Sequence, residues 1–309
     1  MTPGITPEPP ATTPEPGIAL ENVAGEQIHL VTSGPPDGPP LLLSGGLGGA
    51  WFDWRPSVDL LAGTYRVFNF DRPGLGLSPP AAGAPSLRRE VAILTGLAER
   101  AGAPVIVVAH SMAGFHAEAF ARLRSELVRG LVLVDPSCER DPRARVRLAS
   151  VLDPAAKAFG AALGFTRLSK IVGPAGRRLV LRCTSDRGEP VPAETVRSVY
   201  GRGTVLGTFL SEELAYREVA EDLDRLRERR PFPPVPLVVL TALGDHPGQS
   251  EADRRKWSEG HRRLAEMSPY GRQVVLPDTR HMVQLDRPDA VADAVEAVLG
   301  GPGAAQETS

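Results

Sequence analysis

Six short apolar runs, each too brief for a helix, punctuate this 309-residue chain: Leu41 to Leu43, Tyr65 to Phe70, Val105 to Val108, Leu131 to Val134, Leu237 to Leu240 and Val274 to Leu276. A strand with one wet face alternates apolar and polar residues. A run without polar breaks needs cover on both faces, which is the condition of interior strands in a parallel sheet. Between the runs lie Val58 to Ala62, Ser86 to Ala101, Met112 to Leu127 and Ala290 to Leu299, whose apolar positions recur at helical spacing. Upstream, the alternation from Ile18 through Ile28, Leu30 and Val31 predicts an opening hairpin that ends in the turn residues Gly34 to Pro40. The pattern predicts an α/β fold with a mainly parallel central sheet and helices on both faces.

One interval breaks the rhythm. The 95 residues 137–231 separate the fourth run from the fifth and are mostly helical in character. Within them Ser211 is expected to cap a helix with the apolar stripe Ala215, Val219, Leu223 and Leu226, ended by Pro231, Pro233, Pro234 and Pro236. An insertion of this size over the carboxyl ends of the strands predicts a helical cap above a site located there. The expected organisation is a tail at 1–17, a core of 18–136 and 232–300, a cap at 137–231 and a second tail at 301–309.

Charge is nearly balanced, with 35 basic against 37 acidic residues, which gives no global footprint for nucleic acid or an anionic membrane. Within Arg140 to Arg187, however, eleven basic residues face three acidic ones, read here as a solvated basic surface rather than a preference for anionic substrates. Lys occurs only at 157, 170 and 256, a coding bias rather than a binding signal. Cys138 and Cys183 are too few for a metal cage or a disulfide framework, so free thiols in a reducing, cytoplasmic compartment are expected. The N-terminal stretch has neither a basic nor an apolar segment of the signal-peptide kind, and no apolar run approaches the roughly 18 residues of a membrane span.

The third run leads through Ala109, His110, Ser111, Met112, Ala113 and Gly114 into a helix-forming stretch. A serine on so tight a strand-to-helix turn projects its hydroxyl off the sheet, while the first amides of the helix face the place where negative charge develops in acyl transfer. Small residues two positions either side avoid a clash with backbone; Gly is usual there, and this chain has Ala at both. A serine nucleophile needs a base and a group to orient that base. Asp245 follows the fifth run through Thr-Ala-Leu-Gly, and His281 follows the sixth through Pro-Asp-Thr-Arg. Asp135, directly after the fourth run, is the rival acid, with Asp245 preferred.

Together with Leu-Leu-Leu-Ser-Gly-Gly-Leu-Gly-Gly at 41–49, Asp-Arg-Pro-Gly-Leu-Gly-Leu-Ser at 71–78 and His-Met-Val-Gln-Leu-Asp-Arg-Pro at 281–288, these residues resemble the capped α/β-hydrolases over roughly 25–300. The resemblance implies Ser111 as nucleophile, His281 as base and then acid, and Asp245 as the orienting carboxylate. It also implies an oxyanion hole made by the backbone NH groups of Met112 and Leu47. Many relatives carry His-Gly after the third strand, whereas this chain has Gly45 and Gly46, so a supporting imidazole is absent.

Other residues have plainer readings. Trp51 and Trp54 are candidates for the acyl pocket, with core packing the equal alternative. His110 is expected to pack under the elbow, His116 to be a buried helical residue, and Asp71 and Arg72 to form a turn bracing the elbow loop. His29 and His261 have no evident partner; His246 reads as a loop cap and Asp278 as a turn residue. Gly45 to Gly49 lacks the Lys-Ser or Lys-Thr of a phosphate loop, and no His and carboxylate cluster has metal spacing.

The function expected is cofactor-free and metal-free hydrolysis of a carboxylic ester, thioester or lactone, a small molecule with an acyl group, by way of an acyl-enzyme. Serine at 111 argues against the haloalkane dehalogenases and epoxide hydrolases of the family, which use Asp. Carbon-carbon bond hydrolysis, perhydrolysis, a lyase or cyclase reaction on the same residues, and a non-catalytic small-molecule-binding member remain open. A homodimer is compatible with the sequence.

Overall fold

In a computed structural model that describes residues 17–102, 104–139, 147–245 and 250–301, eight strands form one sheet. The strands are β1 (Gly17–Val23), β2 (Glu26–Ser33), β3 (Pro40–Ser44), β4 (Arg66–Phe70), β5 (Val105–His110), β6 (Val128–Val134), β7 (Leu237–Ala242) and β8 (Gly271–Leu276). Their spatial order is β1-β2-β4-β3-β5-β6-β7-β8. The opening hairpin β1-β2 and the β2-β4 pair are antiparallel, and every later pair is parallel. Every residue of β5 and β7 is buried, as unbroken apolar runs require. The expected tails lie outside the described residues except for Gly17 and Gly301, and so does His246.

Two apolar layers sandwich the sheet. On one face α2 (Leu87–Ala101) and α3 (Ala113–Leu123) pack with Leu42, Val107 and Leu133. On the other α1 (Arg55–Leu61) and α10 (Pro288–Leu299) enclose Leu41, Leu43, Ile106 and Val108. Ser86 caps α2 by accepting from the Arg89 amide, and Gly102 ends it at φ 74°, the left-handed stop that glycine favours. One core helix escapes the apolar pattern: α8 (Glu251–Ala265) buries only Gly260, His261, Leu264 and Ala265, too few to mark it by periodicity.

Among the described residues, the insertion between β6 and β7 contains four helices: α4 (Ala149–Phe165), α5 (Ser169–Thr184), α6 (Ala193–Tyr200) and α7 (Gly203–Arg227). Ser211 does not cap a helix. It lies inside the 25-residue α7, where its hydroxyl donates to the Gly207 carbonyl at 3.0 Å. Helix propensity upstream was hidden by Gly203 and Gly207, which are placed by packing: α4 and α7 approach so closely that a Cβ on Gly160 would lie 2.3 Å from the Gly203 carbonyl oxygen.

Candidate active site

β5 ends at His110, and the chain turns at Ser111 with φ 53°, a left-handed conformation that costs a non-glycine residue about 1–2 kcal/mol. The turn is held on both sides: the Ser111 amide donates to the Val134 carbonyl, and its carbonyl accepts from the Gly114 and Ser137 amides. Ala109 and Ala113 are fully buried, and Gly114 sits so close to Pro136 that a Cβ would approach it at 2.8 Å. The elbow therefore rests on the end of the neighbouring strand, β6.

That same strand end carries the carboxylate that meets His281. Asp135 is the first residue after β6, at φ 42°, and its Oδ2 accepts from His281 Nδ1 at 2.6 Å. Since the ionised carboxylate can only accept, the proton sits on Nδ1 and leaves Nε2 to accept from the Ser111 hydroxyl, at 3.0 Å. The Ala242 amide and Trp257 Nε1 both donate to Asp135 Oδ1 at 2.9 Å. Burial by itself would raise the Asp135 pKa, but the hydrogen bond and charge of His281, with His261 and Trp257, hold it below the usual carboxylate value.

The expectation that Asp245 orients the histidine is corrected by this geometry. Asp245 lies beyond β7, its side chain is 93% exposed, and it pairs with Arg254 at 2.8 Å. The chain between spends its hydrogen bonds elsewhere, Leu243 on the Leu276 carbonyl and Gly244 on the Thr279 carbonyl, which directs Asp245 outward.

The remaining histidines divide by their partners. Buried His110 donates from Nε2 to the His281 carbonyl at 3.0 Å, and burial first, then the charge of His281, lowers its pKa to about 3. His261, on α8, donates to the Pro136 carbonyl at 2.7 Å and accepts from Thr241, bracing the turn that carries Asp135. His29 bonds Asp71 at 2.7 Å, and His116 is buried with its pKa well below normal through desolvation. Asp278 is exposed in a turn. Trp257 and His261 were not legible as site residues, because nothing in a polar helix marks which side chain reaches across to β6.

The glycine loop after β3 reaches the elbow: a Cβ on Gly46 would lie 3.0 Å from Ser111 Cβ and 2.8 Å from His110 Nδ1. Neither the Leu47 amide nor the Met112 amide donates to a protein acceptor among the described residues. The buried guanidinium of Arg72 donates to the carbonyls of Gly45 and Gly46 and, at 2.7 and 2.9 Å, to Glu212. Glu212 comes from α7 of the insertion and also accepts from the Gly48 amide at 3.0 Å. Arg177 of α5 makes a second buried tie to the core, pairing with Asp53 and with Glu189. Trp54 is fully buried in the layer beneath the sheet, so it does not line a pocket. Trp51 is half-buried, edge-on to His29 and Phe52 in the cluster that includes Tyr200 of the cap.

Among the described residues no His, Cys, Asp and Glu group could hold a metal, both cysteines are free of disulfide, and no helix is long and apolar enough to cross a membrane. Comparison with known proteins extends the local geometry. The (E)-2-((N-methylformamido)methylene)succinate hydrolase of Acinetobacter baylyi is 25% identical over 266 residues, 85% of this chain and 91% of that one. A candidate carbamate hydrolase of Azorhizobium caulinodans is 32% identical over 99 residues, so that the match spans only 37% of its length. Among solved structures, the enol-lactonase of Burkholderia xenovorans LB400 superposes with a TM-score of 0.64 at 23% identity, covering 92% of this chain and 99% of its own, a likeness of fold. The alpha/beta hydrolase family model matches residues 41–294, and with the parallel sheet, the strained serine turn and the inserted helices already described, the chain belongs to the alpha/beta hydrolase family.

Proposed function

We propose that this protein is a serine hydrolase that cleaves a carboxylic ester, thioester or lactone through an acyl-enzyme on Ser111. The observation that carries the reading is the continuous chain from Ser111 Oγ to His281 Nε2 at 3.0 Å and from His281 Nδ1 to buried Asp135 at 2.6 Å. Ser111 attacks the carbonyl carbon as His281 takes its proton, and the imidazolium is stabilised by Asp135. The amides of Met112 and Leu47 receive the oxyanion, and His281 then protonates the departing alkoxide, thiolate or ring oxygen. Water, deprotonated by His281, attacks the acyl-enzyme and releases the acid, returning the proton to Ser111. Loss of one oxyanion donor typically costs about a hundredfold to a thousandfold in rate.

The Asp135 position also supports this reading over a binding module, since burying the Asp135 carboxylate beneath His281 costs desolvation that simple packing does not require. The test is a fluorophosphonate probe. Native protein should label, Ser111→Ala should not, and His281→Ala should label far more slowly; a folded native chain that does not label overturns the proposal. A panel of acetyl to octanoyl esters, thioesters and lactones, with products identified, then assigns the acyl class.

A further inference from the structure

Helices α4 and α5 bury the wrong residues for an ordinary cap. α5 turns Ser169, Gly173, Arg177 and Leu181 inward and leaves Ile171 70% and Leu179 62% exposed. α4 buries Ala149, Asp153, Ala156 and Gly160, and its outward face carries Val151, Leu152 and Phe159; Phe165, its last residue, is 91% exposed. Of the eighteen large apolar side chains exposed among the described residues, ten fall within 148–180. On α5 the exposed Leu168, Ile171, Val172 and Leu179 share an arc of about 100° at 3.6 residues per turn. A concentration of this kind on a folded chain marks a surface that meets an apolar partner.

The same segment carries cations without carboxylate partners. Arg147, Lys157 and Arg177 are spent on ion pairs. Arg167, Lys170, Arg178, Arg182 and Arg187 are exposed, and none has a carboxylate within ion-pair distance among the described residues. Lys170, Arg178, Arg182 and Arg187, with Arg197 and Arg280, line an open cavity of about 780 Å³ whose floor includes Leu181 and Val196. Ser111, His281 and Asp135 do not line this cavity.

We propose that α4 and α5 form a docking surface for an anionic lipid bilayer, with the apolar side chains entering the acyl boundary and the unpaired cations contacting headgroup phosphates. A bilayer matches both halves of the surface at once, as amphipathic interfacial helices do. A second copy of this chain matches only the apolar half, because a two-fold contact would set these arginines against themselves. Docking there places the cap, and the site below it, where lipophilic acyl compounds are concentrated.

Co-sedimentation of the full chain with vesicles tests this. Phosphatidylglycerol–phosphatidylcholine vesicles should bind at least about tenfold more tightly than phosphatidylcholine alone, and rising salt should weaken binding. The triple variant F165S, I171S, L179S and the double variant R178E, R182E should each lose that binding, while melting temperature and turnover of a soluble acetyl ester stay near native. Ser111→Ala should bind as the native chain does, so the result stands or falls apart from the proposed catalysis. Equal binding to both vesicle types, no binding, or a dimer in sedimentation velocity that I171S abolishes would each overturn the proposal.

Discussion

Two carboxylates follow adjacent parallel strands, and only one of them meets the histidine. Asp135 is the first residue past β6, buried on a left-handed turn and surrounded by three nitrogen donors, His281, Ala242 and Trp257. Asp245 stands three residues past the end of β7, at the surface, with Arg254. A strand end fixes direction only for the residue that leaves it; each further residue adds two free dihedrals that local hydrogen bonds must settle. Here those bonds turn Asp245 away from the site.

Substitution of each acid by its amide breaks the comparison most sharply. D135N should lower kcat by about a thousandfold to ten-thousandfold, since an amide accepts poorly and can hold the wrong imidazole tautomer. D245N should stay within about twofold, an exposed ion pair contributing little. The reverse ranking in steady-state kinetics on a soluble ester would return the acid to β7.

A smaller effect should come from the inserted helices. Glu212→Gln weakens the Arg72 tie that holds the Gly45 and Gly46 carbonyls, and it leaves a buried guanidinium short of charge. If that tie positions the Leu47 amide, kcat should fall about tenfold to a hundredfold with KM changed little, and E212D should recover part of the loss. A fall in melting temperature with kcat intact would make the pair purely structural.

The last effect concerns acid stability and another strand end. His110 is buried with a pKa near 3, against 6.5 when unfolded. Between those values the unfolded chain takes up a proton that the folded chain refuses, so stability falls as pH falls through that window, by at most about 1.4 kcal/mol per pH unit for one group. His110→Gln keeps an NH for the His281 carbonyl but does not titrate. Its denaturation midpoint should drop less between pH 7 and pH 4 than the native one; equal drops would refute the assignment.

Much of the scaffold was legible because it is written in local pattern. The continuous apolar runs specify covered strands, and Ser86 and Gly102 bound a helix by their own backbone preferences. The elbow was readable for the same reason: small residues around Ser111 are needed wherever a strand turns so tightly into a helix. Asp135 and Trp257 illustrate the limit. They are 122 residues apart, and no periodicity records that an indole on a polar helix donates to a carboxylate after β6. Glu212 and Arg72 are 140 residues apart; Arg72 reads locally as part of a bracing turn, but nothing local names Glu212 as its partner until α7 is laid on the glycine loop. The sequence by itself determined the sheet, the serine turn and the histidine, through short-range sterics and burial. The tertiary structure alone decided which acid meets that histidine, what braces the glycine loop and which face of the inserted helices is left bare, because each depends on where distant elements pack.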